Sequence, residues 1–216
     1  MNVMDWYGFT RLLDPRKTAL IGNGVTAIER PIGAEIEAAS LIVRFNQAQT
    51  CGYEECLGRR TDLLICTLRQ FEQAKAPPPA PDAKAVLIFV DRGPPLGRSS
   101  VLEAWIADRP VFFSLVPDVM LPLSRPGTTR YTSGTYGLYT LLSYFQVDEL
   151  RMTGFTFYDD ADGAAAHYWR DGASLKPGEH DPQADREAVA YLLRNFRGKL
   201  RLDPTLKRLL DMPGGP

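Results

Sequence analysis

An α/β sandwich on a mainly parallel central sheet, flanked by helices, is the fold this sequence predicts, and three observations predict it. Six short β-rich runs, such as "TDLLICT" at 61–67 and "AVLIFV" at 85–90, are continuously apolar rather than alternating. Strands of that kind are covered on both faces, the usual state of parallel strands. Segments of helical character stand between the runs, so strand and helix follow one another by turns. The 216 residues, 44% of them hydrophobic and 24% charged, suffice for one domain, 1–216, with a full core.

In chain order, "TALIG" from Thr18 is the first strand and closes on a small-residue turn. "EIEAA" from Glu35 is a helix leading into the strand "SLIVRFN" from Ser40, and "TDLLICT" follows. "KAPPPAPDAK", 75–84, reads as extended polyproline on the surface rather than as a domain boundary. After "AVLIFV" come a helix in "SVLEAWIAD" and the strand "VFFSLV" from Val111. In "TSGTYGLYTLLSYF", Leu138, Leu141, Leu142 and Phe145 recur at helical spacing, with Thr132 or Ser133 as the cap. "ELRMTGF" from Glu149 is the sixth strand. In "DREAVAYLLRNF", Val189, Leu192, Leu193 and Phe196 form a second stripe, and Asp185 and Glu187 suit the first turn's dipole. His180 falls just ahead of that helix. The tail, 197–216, is basic and amphipathic; it reads as a solvated docking helix, with a contact to a membrane surface or an acidic partner left open.

Charge removes some functions. Twenty-five basic and 26 acidic side chains leave a net charge of -1, so no global field draws the chain to nucleic acid. The opening residues lack the apolar core of a signal peptide, and no run approaches ~18 apolar residues. The expected location is the cytoplasm, with a peripheral contact to the inner membrane open through the tail. Cys51, Cys56 and Cys66 are an odd number without paired metal-ligand spacing, so reduced thiols are expected, without disulfide or zinc.

Four stretches could carry chemistry. In "LIGNG", 20–24, Gly22 and Gly24 would let the backbone approach a phosphate, and Asn23 offers an amide; the glycine spacing falls short of a Rossmann dinucleotide fingerprint, and a plain turn fits as well. Asn46 ends the second strand at the edge where open α/β sheets bind ligands. Its NH2, like that of Asn23, could donate to a phosphodiester, or each amide could tie down its own turn. "TSG", 132–134, is an N-cap or an anion site, and one use does not exclude the other. "YDDADG" holds Asp160 and Asp162 at the D-x-D spacing of metal-dependent glycosyltransferases, though short acidic loops are commonly just solvated. Both histidines of the chain, His167 and His180, lie in "HYWRDGASLKPGEHDPQADREAV" among aromatic and acidic residues.

Together these segments resemble a known family. "ALIGNG" followed by "LIVRFNQAQTCGYEECLGRRTDLLI" is similar to the long motif of the animal-type sialyltransferases, glycosyltransferase family 29. "TSGTYGLYTLLSYFQVDELRMTGF" resembles the family's short motif, "HYW" its third and "HDPQAD" its last, all in family order across residues 17 to 187. The resemblance implies a Rossmann-like nucleotide-sugar fold, a variant of the GT-A type. It also implies metal-independent transfer of sialic acid, with inversion, from CMP-sialic acid to a glycan hydroxyl. By motif correspondence Gly22, Asn23, Gly24 and Asn46 would hold the CMP phosphate and ribose. Thr132, Ser133, Gly134 and Thr135 would face the nucleotide sugar, with Phe155 and Tyr168 completing that set. His167 would support the departing phosphate and His180 would be the base, with Asp185 in the family's acidic position.

The chemistry is consistent with that division. Inverting transfer needs a base on the acceptor side and charge support on the leaving-group side of one sugar. Imidazole, which ordinarily titrates near ~6.5, suits the first task at neutral pH, and Asp181, Asp185 or Glu187 could orient it. CMP leaves with less charge than a nucleoside diphosphate, so no cofactor or metal is expected. Kdo, another CMP-activated keto-acid sugar, is a second donor consistent with the motifs. Arg44, Arg59, Arg60, Arg130 and Arg170 are candidates for the sugar carboxylate. The family's paired cysteines correspond here to Thr18 and Val147, in keeping with a reducing cytoplasm, and a bacterial-type enzyme of surface polysaccharide or lipopolysaccharide assembly is expected. The rival readings are a metal-dependent transferase using Asp160 and Asp162, and a non-catalytic nucleotide- or glycan-binding module.

Overall fold

The computed structural model describes residues 3–68, 80, 82–90, 109–115, 131–158, 167–168 and 180–212. Asp160, Asp162, Arg130, Arg170, the helix expected in "SVLEAWIAD" and most of the proline-rich 75–84 lie outside them.

All six expected strands are present: β1 (Lys17–Ile21), β2 (Leu41–Phe45), β3 (Leu63–Thr67), β4 (Ala85–Val90), β5 (Val111–Leu115) and β6 (Glu149–Thr153). A seventh, β7 (Lys199–Leu202), lies in the basic tail. Every pairing is parallel, in the order β5-β4-β3-β2-β1-β6-β7. The continuous apolar runs follow from burial on two sides. Leu20, Val43, Phe45 and Ile65 face one core, while Ala19, Ile21 and Ile42 face another lined by Ile36, Leu57 and Tyr168. Two helices of the second layer, α2 (Gly33–Glu37) and α3 (Glu54–Leu57), cover that second face. The short α1 (Trp6–Thr10) places Phe9 in the first core.

From β1 the chain builds outward through β2, β3, β4 and β5, then returns to the other side of β1 with β6. The order reverses between β1 and β6, and the crevice at the carboxyl ends of the strands there is where such sheets take ligands. Helix α4 (Ser133–Tyr144) starts beside this edge, capped by the Thr132 side chain, which accepts from the Thr135 N–H at 3.4 Å. Its Leu138 and Leu141 are buried in the first core, as the stripe requires. Helix α5 (Pro182–Asn195) begins three residues earlier than the apolar pattern suggests. Pro182 supplies a helix-ready φ at N1, and Asp181 caps the N–H groups of Gln183 and Ala184 at 3.1 and 3.0 Å.

The tail departs from the expectation of a solvated docking helix. Residues 199–202 are β7, paired in parallel with β6, and α6 (Pro204–Leu209) follows immediately. Leu206, Leu209 and Leu210 are buried in the first core. A four-residue strand with alternating burial is too short to announce itself by period. The apolar side chains Leu206, Leu209 and Leu210 of the tail serve the fold. Among the described residues no helix is long and apolar enough to cross a membrane.

Candidate active site

The turn after β1 is locked to the turn after β6. The Gly22 N–H donates to the Thr153 carbonyl at 2.8 Å and the Gly24 N–H to the Gly154 carbonyl at 2.9 Å. A Cβ on Gly22 would stand 2.2 Å from the Gly154 oxygen, and one on Gly24 would stand 2.6 Å from Thr156 Cγ2. Gly154 adopts φ +76°, the left-handed region glycine enters without penalty. The glycines of "GNG" therefore have a packing reason that the phosphate reading did not include: two backbone turns touch. Gly22→Ala should cost about 1–3 kcal/mol or more, because neither backbone can yield; a drop in Tm checks this, and an unchanged Tm would refute the contact.

Asn23 and Asn46 arrive on neighbouring strand ends. Asn23 Nδ2 donates to the Phe45 carbonyl at 3.1 Å, so its donor ties β1 to β2, while its Oδ1 is buried without a hydrogen-bond partner. Asn46 takes φ 51°, a conformation asparagine tolerates better than most residues. Its Oδ1 accepts from the Thr67 N–H at 3.3 Å. Phe155 joins these turns to α4. Its ring packs edge-on to Phe45 at 6.0 Å, touches the Cα side of Gly22, and abuts Gly134, where a Cβ would lie 2.7 Å from it.

The "HYW" segment crosses the same edge. His167 forms an antiparallel bridge with Gly24, and the Tyr168 N–H donates to the Asn23 carbonyl at 3.2 Å. The Tyr168 hydroxyl donates to the Gln49 carbonyl at 2.5 Å, and its ring packs against Tyr53 at 5.0 Å. Burial pushes the Tyr168 phenol well above its usual range, partly offset by the Arg44 charge. Tyr168 is thus a wall that fixes His167 in place. Nothing in the sequence marked Tyr53 as its support.

Asp185 is fully buried at the start of α5. It accepts from the Thr132 N–H at 3.0 Å, from the Thr132 hydroxyl at 3.1 Å and from the Thr135 hydroxyl. Burial raises its pKa; the donors from Thr135 and Thr132 and the positive field of His180 oppose that rise. One carboxylate thereby fastens the start of α4 to the start of α5, beside His180. Asp181 is engaged as the cap and Glu187 accepts from Gln183 Nε2 at 3.0 Å.

The arginine candidates separate. Arg44 is fully buried and donates to the carbonyls of Leu57 and Arg60, at 2.6 and 3.2 Å. Burial lowers its pKa to about 10, against the fields of Tyr168, Glu37 and Asp62. It supports the fold rather than facing a ligand, a role its position inside β2 hides from the sequence. Arg60 is held by Glu37, Asp62 and the Ala39 carbonyl, and Arg59 is exposed. The positions corresponding to the family's cysteines are filled otherwise. Thr18 donates to the Pro15 carbonyl at 2.7 Å, and Val147 packs against the first core. Cys51, Cys56 and Cys66 are free thiols. Among the described residues no group of three His, Cys, Asp or Glu could hold a metal ion.

Comparison with known proteins places this geometry. The model of glycosyltransferase family 29 (sialyltransferase) matches residues 12–92. The CMP-N-acetylneuraminate-beta-galactosamide-alpha-2,3-sialyltransferase 1 proteins of Pan troglodytes and Homo sapiens are 27% identical over 208 residues, 85% of this chain and 59% of theirs. The chain therefore spans about three-fifths of the length of these curated relatives. A mammalian sialyltransferase crystal structure superposes with a TM-score of 0.58 at 19% identity, covering 89% of this chain and 70% of the other. The sialyltransferase CstII from Campylobacter jejuni, in complex with cytidine-5'-monophosphate, gives 0.55 at 15% identity over 93% and 86%. These structural likenesses show the same Rossmann-like α/β architecture. Over residues 12–92 the chain is similar to glycosyltransferase family 29, the sialyltransferases, and along most of its length to the curated sialyltransferases above.

Proposed function

We propose that the chain is an inverting, metal-independent glycosyltransferase that moves sialic acid from CMP-sialic acid to a glycan hydroxyl. The observation that carries this reading is Asp185, whose buried carboxylate fastens Thr132 and Thr135 to the helix start that presents His180. A donor-facing helix start and a base are thereby held in one rigid unit, as positioned transfer requires. Supporting it are the names of the curated relatives, which specify CMP-N-acetylneuraminate as donor. The CstII structure is a complex with CMP. A second mammalian structure is a complex with Gal-beta-1-3GalNAc-ortho-nitrophenol.

In this reading His180 takes the proton of the acceptor hydroxyl as its oxygen attacks the anomeric carbon. The bond from that carbon to the CMP phosphate oxygen breaks, and CMP departs from the opposite face. His167, pinned to Gly24, donates to the leaving phosphate. Gly22, Asn23, Gly24, Asn46, Phe155 and Tyr168 form the floor and wall of the CMP site, and Thr132 to Thr135 its helix-start side. The reading places the enzyme in a reducing compartment such as the cytoplasm, supported by its three free thiols.

Incubation with CMP-sialic acid and with CMP-Kdo, scored by CMP release, tests the donor. Release from CMP-sialic acid is expected; release from CMP-Kdo alone would replace the sugar while keeping the leaving group, and release from neither would overturn the reading. EDTA should leave the rate unchanged. Loss of activity in EDTA, restored by a divalent cation, would favour the transferase that uses Asp160 and Asp162.

A further inference from the structure

The segment after β6 carries two successive non-glycine residues in the left-handed region, Phe157 at φ 51° and Tyr158 at φ 54°. Such residues are disfavoured because Cβ crowds the backbone carbonyl, and they persist only where the surroundings over-determine them. Phe157 provides the anchor, since its ring is buried in the first core, 7% exposed. The reversed backbone then delivers Tyr158 to the site. Its ring lies parallel to the His180 imidazole, with planes 6° apart and centroids at 6.5 Å. That separation falls within the range of paired aromatic rings. None of the four motifs includes Tyr158, and the transfer mechanism above gives it no role.

An imidazole accepts a proton only along the lone pair in its ring plane, and the torsion that sets this plane in histidine is broad and weakly preferred. A base at the amino end of a helix therefore needs a neighbour to fix its plane. We propose that Tyr158 is a positioning residue for His180, holding the imidazole plane. The proposal rests on the reading of His180 as the base. The strain at 157–158 is then what sets the ring where the local sequence alone would not.

Two measurements on the full chain test it. The first is CMP release from CMP-sialic acid by Tyr158→Ala and Tyr158→Phe. The alanine variant should lose roughly 10- to 100-fold in kcat, the scale of a misplaced catalytic group, with KM for the donor unchanged, and the phenylalanine variant should stay near wild type. The second needs no turnover. The chain has two histidines, so its imidazole NMR signals are two sets, assigned with His180→Ala. Tyr158→Ala should move the His180 signals and leave those of His167, and Tyr158→Phe should move neither. Unmoved His180 signals, retained kcat in the alanine variant, or a phenylalanine variant as impaired as alanine would each overturn the proposal. If both histidines shift because Tyr158→Ala disturbs the fold, Tyr158→Leu, which keeps bulk without a ring, makes the same comparison. Absence of CMP release from the wild type would sink the transferase reading instead, while the NMR result would still decide the ring contact.

Discussion

His180→Ala is expected to lower CMP release from CMP-sialic acid in the presence of acceptor by roughly a hundredfold or more, the scale of losing a general base, while CMP still binds. The two outcomes separate because most of the residues assigned to CMP are held by other segments, Thr132 to Thr135 being the part that adjoins the start of α5. Gly22 to Gly24 are clamped to β6, Asn46 to β3, and His167 and Tyr168 to the turn after β1. His180 lies one residue before the cap of α5. Steady-state kinetics with CMP titration of the same variant measures both. Turnover at the wild-type rate would remove His180 from the role, and loss of CMP binding would mean that the imidazole holds the donor rather than activating the acceptor.

Asp185→Ala should destabilise the fold by about 2–3 kcal/mol, because one buried and two part-buried donors lose their acceptor at once and a buried unsatisfied group costs about 1 kcal/mol or more. The donors are the Thr132 N–H and the hydroxyls of Thr132 and Thr135. Asp185→Asn keeps an acceptor oxygen and should lose less. The pH dependence distinguishes the variants further. The Asp185 pKa is raised by burial, so between the ordinary carboxyl value and the raised one the folded chain binds more protons than the unfolded chain. Its contribution is complete below the ordinary value and is lost as pH rises through the raised one. The advantage of wild type over Asp185→Asn should therefore shrink as pH rises through that window. Denaturant unfolding at acid and neutral pH reads this directly, and an advantage that grew with pH would contradict the assigned shift.

Much of this architecture was legible because its signals are local. Continuous apolar runs marked β1 to β6 as strands buried on two faces, and the leucine stripes of α4 and α5 predicted the faces that now pack against the sheet. The segments of the candidate site, "LIGNG", Asn46, "TSG", "HYW" and "HDPQAD", could be ordered along the chain without coordinates. β7 was not legible, since its four residues are half exposed and their pairing with β6 depends on a partner about fifty positions away. Arg44 could not be told apart from the four other candidate cations, because nothing along the chain announces that Leu57 and Arg60 will turn their carbonyls toward it.

By itself the sequence determined the alternation of strand and helix, the absence of a strong net charge and the residue types able to accept and donate protons, because each depends on neighbours a few positions apart. Tertiary structure alone decided that Gly22 meets Gly154, that Asn23 commits its NH2 to Phe45, and that Asp185 locks two helix starts together. It also brought Tyr158 alongside His180. These are contacts between segments more than twenty positions apart, and their geometry is set by how the covered sheet closes, which no local preference encodes.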